Sequence, residues 1–206
     1  DSYADVGWKP AQMWRVAPFK VADIGANAIL AASAGELAKL ASRFGDADDE
    51  ALLASMARPP FVWSEALGVF LSQDLIAGAP IAVATSAGFL PMLTDAPTPQ
   101  QVDRLAAHVE ALVAQGLLPV PSTLPGQPGF EPKRYWRGPV WVVVNWMIAR
   151  GFARHGRSAL ADAIDTLTRN VIDEEGFAEY FDPCTREGLG GGVFSWTAAV
   201  RLLLAR

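Results

Sequence analysis

Two stretches of this chain carry residues that could do chemistry together. The first is Glu174-Glu175-Gly176-Phe177-Ala178-Glu179-Tyr180-Phe181-Asp182-Pro183, a carboxylate cluster with aromatic residues interleaved. A carboxyl beside aromatic rings is desolvated and suits a general acid. One held by polar groups stays ionised and suits a general base. Glu179 and Asp182 are three residues apart, so a turn would aim both at one site. Asp182 before Pro183 reads equally well as a turn-former, and Glu174 and Glu175 as a solvated helix end. The second stretch is Arg134-Tyr135-Trp136-Arg137, followed by Trp141, Asn145 and Trp146. Guanidinium groups among aromatic rings bind carboxylates, phosphates or sugar hydroxyls. The structural alternative for the arginines is an ion pair with the acidic loop 173–182. Asn145 either faces the same site or satisfies a buried backbone group.

Other chemistries fit poorly. Cys184 is the only cysteine, and His108 and His155 are the only histidines. A disulfide within the chain, a zinc cluster and a His-dependent lyase or isomerase are therefore disfavoured, and no metal or cofactor is expected. His108 reads as a solvated helix position and His155 as a residue at a helix C-terminus. The glycines at 188, 190, 191 and 192 lack the Gly-Lys-Ser/Thr of a phosphate loop. They suit tight turns or a close approach to a ligand. Acids 46, 48, 49 and 50 lack the Gly and distal Glu of a calcium loop, so helix capping is the better reading.

The chain has 206 residues, 51% hydrophobic and 19% charged, which fits one folded domain and excludes a disordered tail. Seventeen basic against 22 acidic side chains give a net charge of −5, a poor match to nucleic acid. No apolar run approaches the roughly 20 residues that cross a bilayer. With no signal peptide in evidence, a cytoplasmic protein is expected. Seven tryptophans are many for this length. Those near loops and helix starts, Trp8, Trp14, Trp63, Trp136 and Trp141, suit stacking on a flat ligand or a sugar ring, or closing a helical core. Trp146 and Trp196, within helices, suit core packing.

The elements that must position these residues are mainly helices. Residues 1–10 read as a loop. Apolar spacing predicts a helix over 22–44, capped by Asp23 and stopped by Gly45. A second helix is capped by Asp46, with Leu52, Leu53 and Met56 as its apolar face. Residues 68–83 read as a β-hairpin with a glycine-containing turn, with a helix over 66–75 competing. A short helix spans 86–93. Thr98 caps the next helix from Pro99, which runs to Gly116. The proline-rich stretch 118–137 reads as an ordered loop over a cavity mouth. Pro139 begins a helix that continues through Phe152 to Gly156, and Ser158 caps another over 159–172. Loop 173–192 leads to a last helix over 193–204, with Val193, Trp196, Thr197, Val200 and Leu204 on one side.

Two longer blocks are recognisable. Phe130-Glu131-Pro132-Lys133-Arg134-Tyr135-Trp136-Arg137-Gly138-Pro139-Val140-Trp141, then Asn145-Trp146, resembles a motif of the glycoside hydrolase family 63 group. The block 176–183, then Gly191-Gly192-Val193-Phe194-Ser195-Trp196-Thr197-Ala198-Ala199, resembles the same group. That group includes processing α-glucosidases and mannosylglycerate and glucosylglycerate hydrolases. The resemblance covers essentially the whole chain. It implies an all-α fold, part of an (α/α)6 barrel of twelve helices, with a short β-hairpin insertion. It implies inverting hydrolysis of an α-glycosidic bond in a small glucoside or mannoside, with Glu179 as general base. By the same resemblance Tyr135, Trp136, Arg137, Trp141 and Asn145 contact substrate, and Asp182 supports them from behind. The group's general-acid Asp lies in a Glu-Ser-Gly-x-Asp-x-Ser motif that this chain lacks. Val142 stands where relatives often have proline, and Arg186 where many have glycine. The helix count is near half of twelve. Residues 1–206 are thus expected to be the C-terminal half of the barrel, inactive alone. The other half would lie in the same polypeptide or a second chain. The alternative is a non-catalytic carbohydrate-binding or structural helical module.

Overall fold

The computed structural model of the chain describes residues 3–45 and 47–205. The architecture there rests on seven α-helices: α1 (Pro10–Val16), α2 (Ile24–Phe44), α3 (Ala47–Met56), α4 (Pro99–Ala114), α5 (Val142–Arg154), α6 (Ser158–Glu175) and α7 (Ser195–Leu203). The most extensive contacts join α2 to α3 and α5 to α6, and a 3-10 segment, Ser86–Leu93, packs between α2 and α5. This is the paired-helix architecture expected of part of an α/α toroid. No described helix is long and apolar enough to cross a membrane.

Local chemistry explains the helix ends. Asp23 Oδ1 accepts the Ala26 N–H at 2.7 Å and starts α2. Thr98 and Gln101 form a reciprocal capping box, and Pro99 occupies the first turn of α4, where its missing N–H costs nothing. Gly116 and Gly156 follow α4 and α5 at φ +77° and +75°, left-handed positions that favour glycine. Gly45 ends α2 in extended backbone instead. Asp46, the expected cap of α3, lies outside the described residues.

Several elements differ from expectation. Pro10 does not interrupt structure; it opens α1. Pro139 is not helical, because Val140 exchanges backbone hydrogen bonds with Phe181 at 2.8 and 2.9 Å, which requires extended chain. Helix α5 therefore begins after Trp141. Ser158 is already inside α6, and Arg157 holds the cap position without a side-chain bond. Helix α6 runs three residues further than expected, to Glu175, and the segment after it contains a hairpin of its own. His108 is half-buried, its Nε2 2.9 Å from the Leu67 carbonyl and its ring edge-on to Phe89. His155 closes α5 as expected, with Nε2 3.0 Å from the Thr94 carbonyl.

The insertion is richer than one hairpin. Strands β2 (Val62–Ser64) and β3 (Val69–Leu71) pair antiparallel, with Trp63 opposite Phe70. Strands β1 (Val21–Ala22), β4 (Gln73–Asp74) and β5 (Ala79–Pro80) form a separate three-stranded sheet. Asp74 builds its turn, Oδ1 accepting the N–H groups of Ile76 and Ala77 at 2.8 and 3.0 Å. These donors hold its carboxyl below the ordinary carboxylate value. The resulting stabilisation is complete above the unfolded pKa of about 3.9 and is lost as pH falls through the lowered native value. Asp74→Ala is therefore expected to lower the urea midpoint at neutral pH and to match the parent in acid.

Two apolar clusters form the core. The larger joins α2, β3, the 3-10 segment, α4, α5 and α6 through Phe89, Met92, Leu105, Ile148, Phe152 and Ile164. The smaller joins Leu118, Val140, Val171, Phe181 and Val200. Each such side chain contributes roughly 1.5–3 kcal/mol on burial. The smaller cluster matters most for function, because it fixes Phe181 and Val140, the backbone neighbours of the candidate site.

Not every apolar position is covered. On α2, Ala28, Ala31 and Ala34 are buried while Leu30, Leu37 and Leu40 are half exposed. Helix α7 starts at Ser195, later than expected, because Val193 bridges Phe177. Thr197, Val200 and the cap residue Leu204 turn inward, while Val193, before the helix, is 93% exposed and Leu202 76%. Trp196, expected in the core, is also exposed.

Candidate active site

The site is assembled from two loops brought together by the Val140–Phe181 bridge. The first loop closes on itself: the Glu131 N–H donates to the Arg137 carbonyl at 2.7 Å, and the Arg137 N–H to the Arg134 carbonyl at 2.7 Å. Closure needs glycine at 138, where a Cβ would lie 2.3 Å from the Glu131 carbonyl oxygen. The Gly138 N–H donates to Ser122 Oγ at 3.0 Å. Within the loop, Tyr135–Arg137 form one 3-10 turn, with Tyr135 at φ +42°. Such a conformation for a bulky residue costs on the order of 1–3 kcal/mol and persists only when its surroundings impose it.

The surroundings here are aromatic. Trp136 lies face to face with Trp141, centroids 4.0 Å apart and planes 1° from parallel. Tyr135 meets Trp141 edge-on at 5.1 Å and Tyr180 at 5.6 Å. Tyr180 lies 5.2 Å from Trp141, and Phe194 6.4 Å. Trp141 Nε1 donates to the Tyr135 carbonyl at 3.2 Å, so the buried indole has its partner. Trp141 is 3% exposed, Trp136 43% and Tyr135 51%. The cluster thus has an enclosed base and an accessible rim.

The second loop carries Glu179. Strands β6 (Tyr180–Phe181) and β7 (Gly188–Leu189) pair antiparallel, and the Glu179 N–H donates to the Leu189 carbonyl at 3.0 Å. On the other side, buried Thr197 of α7 donates its hydroxyl to the Ala178 carbonyl at 2.6 Å. Glu179 is therefore fixed at both flanks while its half-buried side chain reaches the site edge. A point beside Gly190 lies 2.6 Å from Glu179 Oε2 and 3.0 Å from Tyr180 Cε1, so the carboxylate borders the aromatic cluster.

The remaining expected residues occupy different positions. Asp182 is 1% exposed, and its Oδ1 accepts the N–H groups of Cys184 and Thr185 at 2.8 and 3.3 Å. It builds the turn of the β6–β7 hairpin. Partial burial, then the Asp182 carboxylate, pushes the Cys184 thiol up and disfavours the nucleophilic thiolate. Asn145 is fully buried. Its Oδ1 accepts the Val120 N–H at 2.6 Å and its Nδ2 donates to the Pro119 carbonyl across a cis peptide. It serves the backbone under the site, the second of its two expected roles, and not a ligand. Asn145→Ala is expected to orphan both groups, at about 1–3 kcal/mol each, in chemical denaturation.

Arg137 is engaged as well: Nε donates to the Gly129 carbonyl at 3.2 Å and Nη2 meets Glu131 at 3.1 Å. Arg134 meets the same Glu131 at 3.4 Å. The arginines thus pair within their own loop and not with the acids of 173–182. Asp173 and Glu174 instead face Arg201 and Arg186 at 2.5 and 3.8 Å. Lys133 bridges the two loops to Glu187 at 2.5 Å, an exposed pair that raises the lysine pKa.

Tyr180, Phe194, Thr197 and Gly190 border the candidate site, and the sequence motifs contain them without revealing these positions. Among the described residues, no group of three His, Cys, Asp or Glu side chains is placed to hold a metal ion.

A family model described as the mannosylglycerate hydrolase MGH1-like glycoside hydrolase domain matches residues 1–197. The chain belongs to this family. Mannosylglycerate hydrolase of Thermus thermophilus is 41% identical over 202 residues, 97% of this chain and 49% of that protein. Mannosylglycerate hydrolase MGH1 of Selaginella moellendorffii is 34% identical over 197 residues, 93% of this chain and 40% of that protein. The crystal structure of a GH63 mannosylglycerate hydrolase from Thermus thermophilus with Tris and D-glycerate superposes with a TM-score of 0.89. It is 39% identical and covers 99% of this chain and 51% of that one. This MGH1-like chain spans 40–51% of the length of these relatives.

Proposed function

We propose that this segment supplies the general base and the sugar platform of an inverting α-glycosidase acting on a small mannoside or glucoside, a glycosylglycerate for example. The observation that carries the reading is the Glu179 carboxylate beside Tyr180, at the edge of the Tyr135–Trp136–Trp141 cluster. In this reading the exposed face of Trp136 stacks on the sugar ring, and Glu179 takes a proton from the attacking water. The acid partner is an Asp outside residues 1–206, roughly 6.5–9.5 Å from Glu179 as inversion requires. The glycerate assignment follows the names of the relatives, which include mannosylglycerate hydrolases at 41% and 34% identity.

Residues 1–206 would then be the C-terminal half of the catalytic barrel. The exposed leucines of α2 and the exposed face of α7 are apolar surfaces suited to the other half, in the same polypeptide or a second chain. A second reading, a segment that binds sugar without hydrolysing it, is favoured for the isolated half by Asp182: the carboxylate nearest in sequence is buried in a turn and unavailable as the acid. The test is hydrolysis of α-mannosylglycerate and α-glucosylglycerate by the enzyme carrying both halves, followed by NMR of the released sugar. The β-anomer is expected first. Release of the α-anomer first would overturn inversion, and binding without turnover would support the second reading.

A further inference from the structure

The glycine run after β7 is not uniform. At Gly191 and Gly192 an added Cβ would meet nothing within 4 Å. At Gly190 it would lie 2.6 Å from Glu179 Oε2, 2.7 Å from Glu179 Cβ and 3.0 Å from Tyr180 Cε1. Glu179 therefore occupies the volume that any other residue at 190 would fill. The backbone on both sides is fixed, so the Glu179 side chain is the part that would have to move. The Glu179 N–H is bonded to the Leu189 carbonyl at 3.0 Å, Tyr180 and Leu189 are paired in register, and the Ala178 carbonyl is held by Thr197 at 2.6 Å.

We propose that Gly190 is a positioning residue for Glu179: its bare Cα lets the carboxylate lie against the backbone of β7's end, beside Tyr180, and holds it there. This rests on Glu179 being the base. A side chain at 190 would press hardest on Glu179 and push the carboxylate off that surface; its next neighbour is Tyr180, and neither Trp136 nor Trp141 is among its three nearest contacts. Displacement of a catalytic group by about 1 Å can cost 10²-fold in rate. The effect should therefore fall on kcat, with KM little changed.

Backbone conformation has to be separated from contact, because Gly190 sits at φ +77°. Gly116 supplies the control. It has the same φ of +77°, has nothing within 4 Å of its would-be Cβ, and follows the C-cap of α4. The experiment compares Gly190→Ala, Gly116→Ala and Glu179→Gln in the intact enzyme, with mannosylglycerate or glucosylglycerate as substrate and circular dichroism as a check on folding. Gly190→Ala is expected to lose about 10²-fold in kcat, while Gly116→Ala keeps its kcat. Should Gly190→Ala not fold, Gly190→Asn replaces it, since Asn tolerates left-handed backbone yet still fills the space; the same kcat loss is expected. A folded Gly190 variant with the kcat of Gly116→Ala, alongside an inactive Glu179→Gln, overturns the positioning role alone. A fully active Glu179→Gln overturns the base assignment and this proposal with it.

Discussion

Glu179→Gln is expected to lower kcat by about 10²–10⁴-fold, the usual worth of a positioned proton acceptor, with no change in fold. Gln keeps the size of the side chain and loses only its basicity. What holds position 179 does not need the charge: a backbone N–H bond to Leu189, the Thr197 hydroxyl on the preceding carbonyl, and packing against Gly190. Binding of sugar should survive, because the proposed stacking surface is Trp136 and not Glu179. The check is steady-state hydrolysis of a glycosylglycerate, beside a melting curve. Unchanged kcat would place the base elsewhere.

The two stacked tryptophans should respond in opposite ways. Trp141 is 3% exposed, caps the start of α5 and touches Trp136, Tyr135, Tyr180 and Phe194. Trp141→Ala should cost about 3–5 kcal/mol of stability, as large-to-small changes of buried aromatics do. Trp136 is 43% exposed, with one face on Trp141. Trp136→Ala should cost only the stacking increment of about 0.5–1.5 kcal/mol while weakening sugar binding by on the order of tenfold, or ~1.4 kcal/mol. Urea denaturation and titration calorimetry separate the two. A Trp136 variant with unimpaired sugar affinity would remove it from the platform.

How legible was this from the chain itself? Helices α2 and α4 were open to reading, because Asp23 and Thr98 are strong caps and their apolar spacing runs for several turns. The helical class with a small β insertion followed from the same patterns. Helix α1 was hidden, because a proline read as an interruption is also the best first helical residue. Pro139 misled in the opposite sense: the bridge from Val140 to Phe181, far apart in sequence, forces extended chain where local signals favour helix. Strands of two residues, like β6 and β7, show no alternation, so the register that brings Gly190 under Glu179 had no local signature. Asn145 was ambiguous for a different reason. An amide in a helix can serve a ligand or a backbone group, and only its burial against Pro119 and Val120 decides between them.

The parallel pair of indoles has an optical consequence. Trp141 is walled off from solvent and Trp136 offers one face to it, so the two rings are coupled chromophores in unlike media. A soluble quencher reaches the Trp136 side of the pair and not the other. A ligand settling on Trp136 would screen it from collision, and the difference in quenching between the parent and Trp136→Phe would separate that signal from exposed Trp8, Trp14 and Trp196.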